Sequence, residues 1–162
     1  MLRVIALVSA CFFMAGVLVV SLIPTAEAHC QIPCGIYDDP ARIAELKEDA
    51  QTIRKAITSM QAMMQENEAD PLLGFNQSTR WVIAKDQHAQ NIQDVVSYYF
   101  LTQRVKAVPA DVSMPGHEHY VQQLMGFHRI LVAAMKCKQT VDIANVDELD
   151  AAIAAVAGAY CE

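Results

Sequence analysis

Nine consecutive residues concentrate the groups able to do chemistry: His29-Cys30-Gln31-Ile32-Pro33-Cys34-Gly35-Ile36-Tyr37. They follow Ala26-Glu27-Ala28, a small-x-small pattern that a signal peptidase recognises. Cleavage after Ala28 would make His29 the chain terminus. One residue would then carry both a free α-amine and an imidazole. The amine and the Cys30 amide nitrogen can close a chelate ring, the Cys30 sulfur extends it, and Cys34 can complete a plane of two nitrogens and two sulfurs. Such planar nitrogen–sulfur fields suit Ni(II) or Cu(II), whereas zinc prefers a tetrahedron. Pro33 and Gly35 are the residue types expected where so short a loop turns back sharply. Binding there should depend on pH, because thiols, amine and amide must all lose protons.

The competing reading of Cys30 and Cys34 is a local structural disulfide, since exported chains commonly pair their cysteines. Cys137 and Cys161 are also candidates for pairing. They fall near the ends of what reads as a helical hairpin, where antiparallel packing could bring them together. Cys11 leaves with the leader.

The string His-Cys-x-x-Pro-Cys-Gly-x-Tyr resembles the nickel hook of the nickel superoxide dismutase family. The resemblance is close over residues 29–37 and weaker through Lys85-Asp86-Gln87 and Tyr98-Tyr99-Phe100. It implies one nickel ion per chain and disproportionation of superoxide to oxygen and hydrogen peroxide by Ni(II)/Ni(III) cycling. It also implies a hollow homohexamer of four-helix subunits. Carried over by position, His29, Cys30 and Cys34 would be the metal ligands, with the His29 imidazole axial in the oxidised state. Tyr37 would stand over the open face as a gate, and Tyr99 would match a second tyrosine near the site. Glu45 would accept a hydrogen bond from the His29 ring, an outer contact that fixes ring orientation and raises basicity. The chain departs from the family pattern at two positions. Gln31 stands where some members have aspartate, and His88 stands where others have an arginine supporting the glutamate.

The remaining sequence must position this hook. The chain has 162 residues, enough for one domain, and 54% of them are hydrophobic. Much of that excess lies in residues 4–23, an uncharged apolar run preceded by Arg3. Residues 1–28 therefore read as a cleaved secretory leader, and residues 29–162 as the mature domain, with the hook at 29–37 and a helical bundle at 38–162. The expected destination is periplasmic or extracellular, with no membrane attachment once the leader is gone. A retained apolar run would instead make a membrane-anchored interaction protein. Removing Arg3 and Glu27 leaves the net charge at −6, and no basic run supports nucleic-acid binding.

The bundle reads as all-α. Asp38-Asp39-Pro40 starts a first helix, with Pro at its first position. Ile43, Leu46, Ala50, Ile53, Ile57, Met60 and Met64 then recur at three- and four-residue intervals. The stretch from Asp70-Pro71 through Gly74 breaks it. A second helix is expected from about 78 to 105, with Trp81, Val82, Ile92, Val95, Val96, Tyr99 and Phe100 in the core. A third runs from about 117 to 138 around Tyr120, Leu124, Phe127, Ile130, Leu131 and Ala134. A fourth opens on a capping box of Asn145 and Glu148 and ends near 160. Short links make this an antiparallel four-helix bundle. His117, Glu118, His119 and His128 read as surface or interface residues, because adjacent helical positions point apart. Met60, Met63 and Met64 read as core or subunit contacts. Against the enzyme stands a non-catalytic exported nickel or copper carrier using the same terminal chelate.

Overall fold

Asp38 sets the first helix. Its Oδ1 accepts the amide of Ala41 at 3.0 Å, meeting one of the backbone donors that every helix start leaves unpaired. Helix α1 (Asp39–Gln65) follows, and Pro40 takes its second position, where a missing N–H costs nothing. The computed structural model describes residues 33–65, 70–108 and 111–161. His29, Cys30, Gln31 and the leader at 1–28 lie outside the described residues.

Helix α2 (Pro71–Asp94) begins seven residues before the expected position. Asp70 is its N-cap, accepting from the amides of Leu72 and Leu73 at 3.0 and 3.2 Å, and Pro71 occupies the first helical position. The Asp-Pro pair is thus a start signal and not a break. Leu72, Leu73 and Phe75 are exposed, so no inward stripe marks this turn in the sequence. Val82, expected in the core, is also exposed, because α2 buries Lys85, Ala89 and Ile92 instead. From Val95 to Arg104 the same rod continues as a π-helix. Its widened winding shows in the Val105 amide, which donates to the carbonyl of Phe100 five residues back at 2.8 Å.

Helices α3 (His117–Gln139) and α4 (Ala144–Ala157) complete the bundle. Gly116 precedes α3 at φ +87°, a left-handed backbone that a side chain would resist. The expected capping box does not form at α4. Asn145 lies inside the helix and donates to Thr140 Oγ1, Asp142 receives the amide of Ala144, and Glu148 pairs with Lys136 at 2.7 Å.

The helices pack as α1 on α2, α2 on α3, α3 on α4 and α4 on α1. Cross-links show every neighbouring pair to be antiparallel. Along α1 and α2, Asp39 meets Tyr99 and Arg104 while Asp49 meets His88. Between α3 and α4, Gln123 meets Tyr160 while Lys136 meets Glu148. Arg54 holds Asp147 and Asp150 at 2.6 and 2.7 Å, tying α1 to the start of α4. Between α2 and α3, the buried Lys85 ammonium donates to the carbonyls of Cys137 and Lys138, both at 2.7 Å. Those carbonyls are among the ones left open where α3 ends, next to an extended Thr140.

Ile43, Leu46, Ala50, Ile53, Ile57 and Met60 are buried as the periodicity requires. Met64 is not, and with Met60, Gln61, Ser78 and Val141 it lines an open surface cavity. One end of the core is aromatic. Phe100 stacks on Phe127 at 4.8 Å and meets the edges of Tyr99 and Tyr160 at 4.9 and 5.1 Å. Cys137 and Cys161 are both unpaired, contrary to the hairpin argument. Cys137 sits where α3 turns into α4, and Cys161 follows the far end of α4. Fourteen helical residues separate those levels, about 20 Å at 1.5 Å per residue, against the 7 Å a disulfide tolerates.

Candidate metal centre

Cys34 lies just ahead of α1 with its thiol exposed and unpaired. Gly35 follows at φ +77°. A Cβ there would meet nothing within 4 Å, so the requirement for glycine comes from the left-handed backbone and not from space. Ile36 is exposed, and Tyr37 returns the chain to the bundle.

Tyr37 lands on a prepared surface. Its ring meets Tyr99 edge to face, with centroids 5.8 Å apart, and the Arg104 guanidinium lies 4.5 Å from its centroid. Both neighbours are fixed by Asp39, at the first turn of α1. Tyr99 Oη donates to Asp39 Oδ1 at 2.6 Å. Arg104 Nε donates to Oδ1 and Oδ2 at 2.8 and 3.0 Å, and its Nη2 donates to Oδ2 at 2.6 Å. This is the forked geometry that makes arginine–carboxylate pairs strong. Burial works to raise the Asp39 pKa, but the hydrogen bonds from Arg104 and Tyr99 and the guanidinium charge outweigh it. The carboxyl is held below its ordinary value.

Burial, then the bond to the Asp39 carboxylate, pushes the Tyr99 phenol up to about 12. Tyr99 is therefore protonated throughout the physiological range. The sign of its linkage follows. A phenol that holds its proton more tightly when folded stabilises the fold below the unfolded value of 10.0, and that contribution is lost as pH rises towards about 12. Thermal melts between pH 9 and pH 12 should show a steeper alkaline decline for the native chain than for Tyr99→Phe, which lacks the titrating group. Parallel declines would count against the buried phenol.

Glu45 stands two turns along α1. Arg42 Nη1 donates to its Oε2 at 2.7 Å, and Asn91 Nδ2 approaches Oε1 at 3.3 Å. Asn91 bonds more closely to Asp49 Oδ2, at 2.6 Å, and His88 Nδ1 lies 2.6 Å from Asp49 Oδ1. His88 thus pairs with Asp49 and not with Glu45. Its reach across from α2 falls one turn further along α1, and Arg42 takes the supporting place expected of it. The Arg42-x-x-Glu45 spacing, which sets side chains on one helix face, was a usable signal for this. Asp39, Arg104, Asp49 and Asn91 carried no comparable signal, because each acquires its role only across the α1–α2 interface.

The one described donor fits a soft or borderline metal in kind: an accessible thiol on a tight turn. Among the described residues no cluster of three or more His, Cys, Asp or Glu side chains could hold a metal ion. A family model described as nickel-containing superoxide dismutase matches residues 24–162, spanning the hook and the whole bundle. The chain belongs to the nickel-containing superoxide dismutase family. It is accordingly an oxidoreductase with a nickel cofactor and superoxide as substrate. No curated protein and no solved structure matches the chain, so the family model carries the assignment. Cys34 is open to solvent, and Tyr99, which packs on Tyr37, keeps its hydroxyl proton in its bond to Asp39.

Proposed function

We propose that this chain disproportionates superoxide with nickel held by its own processed N-terminus. After removal of residues 1–28, the His29 amine and imidazole, the Cys30 amide nitrogen and thiolate, and the Cys34 thiolate form the donor set. Bound there, nickel would supply the one-electron Ni(II)/Ni(III) couple, so that one superoxide is oxidised to oxygen and the next, with two protons, is reduced to hydrogen peroxide. Thiolate and deprotonated amide donors favour the higher oxidation state by placing electron density on the metal.

The other residues act around that centre. Glu45, braced by Arg42 and Asn91, accepts the His29 ring N–H and fixes the imidazole. Tyr37 orders water and the incoming anion at the open face, and Tyr99 backs it from beneath. The family match across the hook string carries this reading, and the exposed Cys34 thiol at a left-handed glycine supports it. Export by the leader and assembly as a homohexamer belong to the same proposal. The exposed apolar side chains of Leu72, Leu73, Phe75 and Ile83 on α2 suit a face covered by another subunit.

The test compares protein beginning at His29 with protein carrying one additional residue before it. The His29 form should hold about one nickel per chain, show a rhombic Ni(III) signal and remove superoxide. The extended form should do none of these. Equal activity in both would remove the amine from the ligand set. Tight nickel binding without turnover in the His29 form would make the protein a carrier.

A further inference from the structure

The π-helix from Val95 to Arg104 has a definite consequence for the hook. In an α-helix, residues five apart point about 140° away from each other round the axis. In a π-helix, whose i→i+5 hydrogen bonds widen the turn, they come round to the same side. Tyr99 and Arg104 are five apart, and both reach Asp39. The winding is written into neighbouring side chains as well: Thr102 Oγ1 donates to the Ser97 carbonyl at 2.7 Å, and Gln103 Nε2 donates to that of Tyr98 at 3.0 Å. Regular α-helix through this stretch would leave one of the two partners facing away from Asp39.

We infer that Arg104 is a positioning residue for Tyr37, delivered to it by the π-helical winding. This rests on the role proposed for Tyr37. The guanidinium has two jobs that only its shape can combine. Its edge forks onto both oxygens of Asp39, and its flat face lies against the Tyr37 ring. Asp39 is two residues after Tyr37, so the clamp fixes the ring and the backbone that carries it together. With its charge balanced by Asp39, Arg104 acts as a geometric stop and not as a lure for superoxide. Tyr99 supplies the second wall, edge-on to the same ring.

Arg104→Lys and Arg104→Gln, each made in the native chain and with Tyr37→Ala, test this together with metal-free protein. Lysine keeps the charge and can still pair with Asp39, but it lacks the fork and the flat face. In the nickel-loaded enzyme both variants should lower kcat/KM by about tenfold, the lower end of what outer-shell partners are worth. Neither should lower it further once Tyr37→Ala is present. The dependence of kcat/KM on ionic strength should be unchanged in Arg104→Lys, which keeps the charge opposite Asp39. In metal-free native protein, the Arg104 Nε–H should show a nuclear Overhauser contact to the Tyr37 ring that Tyr99→Phe preserves.

Three results overturn the inference. They are full activity in Arg104→Lys, a loss in Arg104→Gln that persists undiminished with Tyr37→Ala, and absence of the ring contact in metal-free protein. If Tyr37→Ala alone matches the native rate, the role proposed for Tyr37 fails instead, and the metal-free contact then decides the positioning claim by itself.

Discussion

Cys34→Ser should abolish nickel retention and superoxide removal while leaving the helical bundle as it was. The proposed ligand is a thiolate, a soft donor of the kind that nickel in a nitrogen–sulfur field favours. A serine hydroxyl ionises far less readily and offers a hard oxygen in place of a soft sulfur. The loss should therefore exceed the roughly 10- to 100-fold that removal of an outer hydrogen-bond partner costs a metal site. Stability should hardly move. Cys34 is exposed, belongs to no helix and packs in no part of the core, and such substitutions fall within about 0.5 kcal/mol. Nickel per chain, superoxide removal and a circular-dichroism melt on the same preparation check all three parts. A nickel-loaded, active serine variant would remove Cys34 from the ligand set, whatever the family suggests.

Phe100→Ala should have the opposite profile, with a large loss of stability that spreads into the site. Phe100 is fully buried and touches three other rings, Tyr99, Phe127 and Tyr160. Truncating a buried phenylalanine to alanine costs about 3–5 kcal/mol, because the lost transfer energy is compounded by the cavity left behind. Domains of this class hold only about 5–15 kcal/mol in total. The melting midpoint of the metal-free protein should fall by roughly 10–20 °C. Working without metal matters, since a bound ligand would raise the midpoint by mass action and hide part of the effect. Tyr99 loses its inner neighbour in the same variant, so activity at a permissive temperature should also drop. Phe100→Leu, which refills most of the volume, should recover most of both. A drop of only a few degrees in Phe100→Ala would mean that the aromatic end of the core repacks freely.

The parts that sequence reasoning reached share one property: their information is local. The string that points to the family is contiguous, and the first helix declares itself through Asp38 and an unbroken run of apolar positions at helical spacing. The parts it missed depend on distant chain. Asp70-Pro71 carries the same start chemistry as Asp38-Asp39-Pro40. It reads as a break because the residues after it face solvent and show no inward stripe. The π-helix has no compositional mark, and its extra width becomes visible only when Tyr99 and Arg104 meet at Asp39. That contact spans 60 and 65 residues. The pairing of His88 with Asp49 in place of Glu45 is a matter of one helical turn between two packed rods. Position in an alignment does not resolve that difference. Cys137 and Cys161 failed for a simpler reason. Each lies at the C-terminal end of its own helix, Cys137 in the last turn and Cys161 just beyond, and in an antiparallel pair those two ends are the distant ones.

Lys85 gives the bundle an unusual division of labour. The stop of the third helix is written on the second, where a sequestered ammonium donates to carbonyls that the local chain leaves open. A fragment holding only the last two helices would therefore lack the instruction for its own turn, even with every residue of that turn present. The two halves of this chain are not interchangeable modules, because one punctuates the other.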